Sequence, residues 1–149
     1  MRLFSSYLIL LSCGWFMTPV AHSETITFGE IQLEINANVY NLEYADTFER
    51  RARGLMDRTS ICENCGMLFR FSQPRMAGFW MKNTLIPLDI AFVRADGIIT
   101  DIKAMQPLDL NTTNSSQRVL YAWEMNQGWF AKNTIKVGDT VIIPLNNQP

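Results

Sequence analysis

LDIAFVRADGIITDIKAM, residues 88–105, sets two aliphatic and aromatic runs on either side of Ala95-Asp96-Gly97. Such runs around an Asp-Gly turn predict a β-hairpin, with strands over 88–94 and 97–105. Upstream, GMLFRF (66–71) and GFWMKN (78–83) read as strands separated by a Ser72-Gln73-Pro74-Arg75 turn. Proline belongs at a sheet edge or turn, so Thr84 to Pro87 reads as the connection into the hairpin. Downstream, the polar segment 106–117 reads as the main surface loop. VLYAWEM (119–125) then gives a strand, QGWFAKNTI (127–135) a helical turn and TVIIPL (140–145) a closing strand.

Nearer the N-terminus, TITFGEIQLEIN (25–36) alternates about Gly29-Glu30 and predicts a second hairpin, followed by a strand over VYNLEYA (39–45). One short helix follows, with Asp46 as N-cap, Glu49 completing a capping box and Gly54 ending it. Its Arg50, Arg51 and Arg53 suit the helix C-terminal dipole, which favours a solvated face over an anion-binding patch. Many short strands with few helical residues predict a mainly β fold. The expected architecture is a compact β-sandwich or partly closed barrel with one or two short helices.

The first 23 residues carry Arg2, an apolar run from Leu3 to Val20, and small residues at Ala21 and Ser23. This three-part pattern predicts a secretory signal peptide over 1–23, cleaved before Glu24, and a single globular domain over 24–149. Export to the periplasm is the expected localisation, with no stable membrane span after cleavage. Lipidation at Cys13 is the weaker alternative, because Gly14-Trp15-Phe16-Met17 stays apolar where a lipoprotein starts a polar tether. Cleavage removes Arg2 and leaves 12 Lys and Arg against 14 Asp and Glu, a net charge of −2. That balance argues against nucleic acid as a partner, which calls for a basic face.

The only histidine, His22, leaves with the leader, which removes the usual base of a catalytic triad and a common zinc ligand. Cys62 and Cys65 therefore read as a disulfide in an oxidising compartment rather than as a metal site. A thioredoxin-like use would place them at a strand-to-helix junction, whereas here they precede a strand. The scattered methionines read as core filling, not copper ligands. No metal or cofactor is expected.

What remains is a set of polar residues embedded in apolar strands: Lys82, Asn83, Asp89, Glu124 and Asn126. A buried charge must reach water, find a partner or line a cleft. One reading is an ion-pair network that braces strand ends. Another gathers these five residues around a small polar pocket walled by Trp80 or Trp129, suited to a carbohydrate or another polyhydroxylated ligand.

Arg53-Gly54-Leu55-Met56, Arg58, Gly66-Met67-Leu68-Phe69, Phe79-Trp80-Met81-Lys82-Asn83-Thr84, Ile86-Pro87-Leu88-Asp89-Ile90, Gly97 with Ile99, Gly128-Trp129 and Gly138-Asp139 occur in this order along the chain. In these motifs it resembles the bacterial and archaeal family called domain of unknown function 192, over about residues 30–144. Trp123-Glu124-Met125-Asn126 departs from the Leu-Glu-Val expected there. The resemblance implies a small, mainly β domain, often exported, and carries no established activity. The leading functional expectation is a periplasmic binding or accessory module for a small polar ligand. The runners-up are a carboxylate-dependent hydrolase or lyase using Asp89 or Glu124, and a structural or partner-binding domain without a ligand.

Overall fold

The structure, a computed structural model, describes residues 25–144; the leader and Cys13 lie outside the described residues. Six strands form one mixed sheet in the order β1-β2-β3-β8-β5-β6. They are β1 (Gly29–Ile35), β2 (Asn38–Ala45), β3 (Gly66–Arg75), β5 (Leu88–Val93), β6 (Ile99–Met105) and β8 (Val119–Asn126). A separate two-stranded ladder joins β4 (Gly78–Phe79) to β7 (Thr113–Asn114). β2 and β3 run parallel and the other pairs antiparallel. The connection between these parallel strands carries α1 (Phe48–Arg53) and the Cys62–Cys65 loop, since parallel neighbours need a long crossover.

The expected hairpin at 88–105 is present as β5 and β6, with Gly97 at φ 85° in its turn. β5 is buried along its whole length because it lies between β8 and β6 with a core on each face. Leu88, Ile90 and Phe92 enter one core with Met67, Phe69, Met81 and Leu55. Ala91 and Val93 enter the other, with Leu33, Tyr44, Trp123, Trp129 and Phe130. α1 leads into Leu55 on the first face, and α2 (Trp129–Lys132) seals the second.

Several boundaries differ from expectation. Residues 25–28 form no strand, β1 begins at Gly29, and the first hairpin turns instead at Asn36-Ala37, with φ 51° and 59°. Two successive positive φ values are those of a type I′ turn, which matches the strand twist and is easily entered by asparagine. Thr47 replaces Asp46 as N-cap, its Oγ1 accepting from Arg50 N at 3.2 Å. Asp46 is diverted into an ion pair with Arg50 at 2.8 Å. β3 continues through Ser72 to Arg75, where a turn was expected.

The last described segment is no full strand. Ile142 forms an isolated bridge with Glu34 of β1, and Thr140 another with Ile98 beside β6. These bridges tie the two edges of the sheet without closing a barrel. Gly97 permits the tie: a Cβ there would stand 2.3 Å from Val141 O, whose residue donates its N–H to Gly97 O at 2.8 Å.

Candidate functional site

FWMKNT does not continue β4 as a strand beyond Phe79. Met81 N donates to Asp109 O at 2.8 Å and Thr84 N to Met81 O at 3.0 Å, which folds the segment into a tight loop. Asn83 sits at φ 55°, a left-handed conformation that asparagine tolerates. Its carbonyl accepts from Asp57 N at 2.8 Å and ties this loop to the segment after α1. The loop therefore turns Met81, Thr84 and Ile86 inward and leaves Trp80, Lys82 and Leu85 exposed.

Beneath this loop is a pocket with about 40 Å³ open to the centre of a water molecule. The continuous run from Arg51 to Met56, the end of α1 and the segment after it, lines one side, with Phe69 from β3, Phe79 from β4, Trp80 and Thr84 from the loop, and Glu124 from β8. Gly66 lets β3 approach β8 here, because a Cβ would fall 2.2 Å from Glu124 O. Glu124 lies opposite Met67 on one side and Ile90 on the other. It is only 5% exposed, and no hydrogen bond from the described residues reaches its carboxyl group. Desolvation pushes its pKa up to about 8, so at neutral pH the group is mostly a carboxylic acid. Such a group can donate as well as accept a hydrogen bond.

The two nearby arginines differ. Arg53 pairs with Asp57 at 2.8 Å. Arg51 is held instead by main-chain carbonyls, those of Asp46 and Arg70, the latter at 2.9 Å. Its charge meets no carboxylate partner among the described residues. The solvated-face expectation for the helix thus describes Arg53, which is exposed, better than Arg51, which is half-buried.

The expected single pocket around Lys82, Asn83, Asp89, Glu124 and Asn126 does not form. In the β5–β8 register Ile90 faces Glu124 while Asp89 faces Met125, so the two carboxyl groups project from opposite faces of the sheet. Asp89 is buried, and its Oδ2 accepts from Gly128 N at 2.8 Å. Burial raises its pKa, opposed by that hydrogen bond. Asp89 thereby fixes the left-handed Gly128 (φ 83°) that starts α2. Lys82 is exposed with Nζ 5.3 Å from the centroid of Trp80, a cation–π contact rather than an ion pair with Asp89.

Asn126 and Trp129 belong to a third place, the disulfide loop. Cys62 and Cys65 are bonded, with their Cα atoms 4.9 Å apart. Asn126 Nδ2 donates to Cys62 O at 2.9 Å, and the buried Trp129 donates Nε1 to Asn64 Oδ1 at 3.0 Å. Lys132 pairs with Glu63 across the same loop. Of the sequence candidates, then, only Trp80 and Glu124 line the pocket beneath the loop. Thr84, Phe69 and Phe79 line it without having been singled out as site residues, although each lies within a motif of the family resemblance; Arg51 lies outside those motifs.

Solved structures resemble this fold, two of them as follows. A proposed transcription regulator from Sinorhizobium meliloti 1021 is 28% identical with a TM-score of 0.74, covering 80% of this chain and 98% of its own. A protein of unknown function from Novosphingobium aromaticivorans DSM 12444 is 33% identical with a TM-score of 0.70, covering 83% and 90%. No curated protein matches the chain significantly. The model of the family DUF192, described as "Uncharacterized ACR", matches residues 31–143, and the chain belongs to that family.

Proposed function

We propose that this protein is an exported binding module that takes a small polar ligand into the pocket beneath the Trp80–Thr84 loop. The observation that carries the reading is Glu124: a buried carboxyl group with no hydrogen bond from the described residues, facing a cavity. In that cavity a water or a ligand can bond the carboxyl group. At roughly 10–15 Å³ per water centre, the cavity holds about three waters or the end of a small ligand. A whole sugar ring exceeds that space, so a carbohydrate would insert one polar arm and rest its ring on the half-exposed Trp80. The leader-like first 23 residues and the Cys62–Cys65 disulfide support export.

The hydrolase reading loses its two-carboxylate form, because Asp89 and Glu124 occupy opposite faces and cannot flank one bond. A role in transcription regulation through nucleic-acid binding, a reading that the description of the Sinorhizobium protein as a transcription regulator prompts, finds little support in a chain of formal net charge −1. The test is a screen of small acids, amides, polyols and monosaccharides read by backbone and indole NMR shifts. A ligand should move Trp80 and Thr84 while leaving Trp129 in place, and Glu124→Leu should abolish the response. A screen in which nothing moves Trp80 or Thr84, or in which Glu124→Leu responds like the parent, would refute the pocket.

A further inference from the structure

The disulfide joins residues only three positions apart, so it closes a short loop and removes little entropy from the unfolded chain. The loop is shaped without it. Cys65 N donates to Cys62 O at 3.1 Å, and the same carbonyl accepts from Asn126 Nδ2 at 2.9 Å. Glu63 pairs with Lys132, Asn64 Oδ1 accepts from Trp129 Nε1, and Gly66 packs against β8, where a Cβ would fall 2.2 Å from Glu124 O. Residues 62–66 are thus held by contacts that survive when the sulfur–sulfur bond opens, and the two thiols then stay side by side.

The bond is also within reach of a partner. Cys62 is exposed, whereas Cys65 is half-buried and lines a groove of about 400 Å³ with Gly66, Glu30, Asn41, Leu42 and Glu43. That groove shares no lining residue with the pocket around Glu124. Glu30 stands directly opposite Glu43 across β1 and β2, and Arg58 pairs with Glu43. Among the described residues no cation pairs with Glu30, so this end of the groove favours an incoming positive charge. No helix starts at either cysteine, so the site offers access and a preset loop rather than the helix-activated thiol of a thioredoxin-like centre.

We propose that the Cys62–Cys65 disulfide is an exchange site for a dithiol on a partner protein, whose chain lies in the groove beside Cys65 with a basic residue towards Glu30. One partner thiolate attacks the exposed Cys62 Sγ, and the Cys62–Cys65 bond breaks as the new sulfur–sulfur bond forms. The electron pair leaves on Cys65 Sγ, which takes up a proton from solvent. The partner's second thiolate then attacks the partner sulfur of the mixed disulfide and releases Cys62, which is protonated in turn. The partner gives up two electrons and two protons and ends as a disulfide, while this chain ends as two thiols.

The experiment treats the purified, oxidised full chain with two reduced peptides at low salt, Lys-Cys-Gly-Pro-Cys-Lys and Glu-Cys-Gly-Pro-Cys-Glu. Acid quenching, alkylation and mass spectrometry give the rate of opening, and the Trp129 indole resonance reports the fold. The lysine peptide should open the native bond roughly tenfold faster than the glutamate peptide, a gap that closes in high salt. A version of the lysine peptide with its second cysteine replaced by serine should be trapped on Cys62, with Cys65 alkylated. Trp129 should keep its resonance in the reduced chain and in Cys62→Ser/Cys65→Ser, since the loop contacts persist. If the bond resists both peptides until the chain is unfolded in urea, or if reduction displaces Trp129, the disulfide is a structural staple and the proposal fails. Trapping on Cys65 overturns the assignment of Cys62 as the attacked sulfur. Equal rates for the two peptides overturn the seating against Glu30.

Discussion

Glu124 shares its face of β8 with Ala122, in a strand whose other face carries Tyr121, Trp123 and Met125. A carboxyl group in that position is tolerated because the proton stays on. The folded protein holds a proton up to about pH 8 that the unfolded chain releases near 4.5. Stability from this group is therefore complete below about pH 4.5 and declines as pH rises towards 8, by about 1.4 kcal/mol per pH unit. Glu124→Gln removes that slope. In urea unfolding, the free energy of the parent minus that of the variant should fall steadily from pH 5 to 8, by up to about 4 kcal/mol, and level off above 8. A difference that stays constant over this window would mean that Glu124 ionises in the folded state as it does in water. Alternation along VLYAWEM was enough to mark Glu124 as a polar residue among apolar neighbours. Its isolation from other polar groups was not legible there, because that depends on Met67 and Ile90 from two other strands.

At the level of elements, the register between β5 and β8 decides which polar residues meet. Asp89 and Glu124 both read as embedded carboxylates, and a one-residue offset in pairing separates them by the thickness of the sheet. Periodicity within a strand fixes faces relative to that strand only, so the sequence could not tell whether the two shared a cleft. The FWMKNT segment departs from the strand expectation for a related reason. Its apolar residues suit a strand, yet the left-handed Asn83 and the bond from Met81 N to Asp109 O turn it into a loop. Asp89 now has a different task from the one its composition indicated: it anchors the start of α2 through Gly128 N. Replacing it with alanine leaves that amide without its acceptor, at a cost of about 1–3 kcal/mol. Asp89→Ala should lower the melting temperature and shift the Trp129 indole resonance, while ligand shifts at Trp80 keep their parental midpoint. Weakened binding at Trp80 without a change at Trp129 would restore Asp89 to the site.

The described residues build one large mixed sheet with a core on each face, beside the small β4–β7 ladder. On one side Trp123, Trp129 and Phe130 form an edge-to-face cluster under α2, braced by Asp89 and by the disulfide loop through Asn64. On the other, α1 and the Trp80–Thr84 loop stand apart enough to leave the Glu124 pocket. The mainly β class and the 88–105 hairpin were legible because they rest on local periodicity and turn chemistry. The parallel β2–β3 pairing and the C-terminal tie between Glu34 and Ile142 were not, since they join residues distant along the chain. The central claim is that this second face holds a neutral, unpaired carboxylic acid ready for a ligand. The direct measurement is the ¹³C chemical shift of the Glu124 side-chain carboxyl, assigned by its loss in Glu124→Gln and followed from pH 4 to 10. A midpoint near 8 in the unliganded protein is the predicted result, and a midpoint near 4.5 would contradict it.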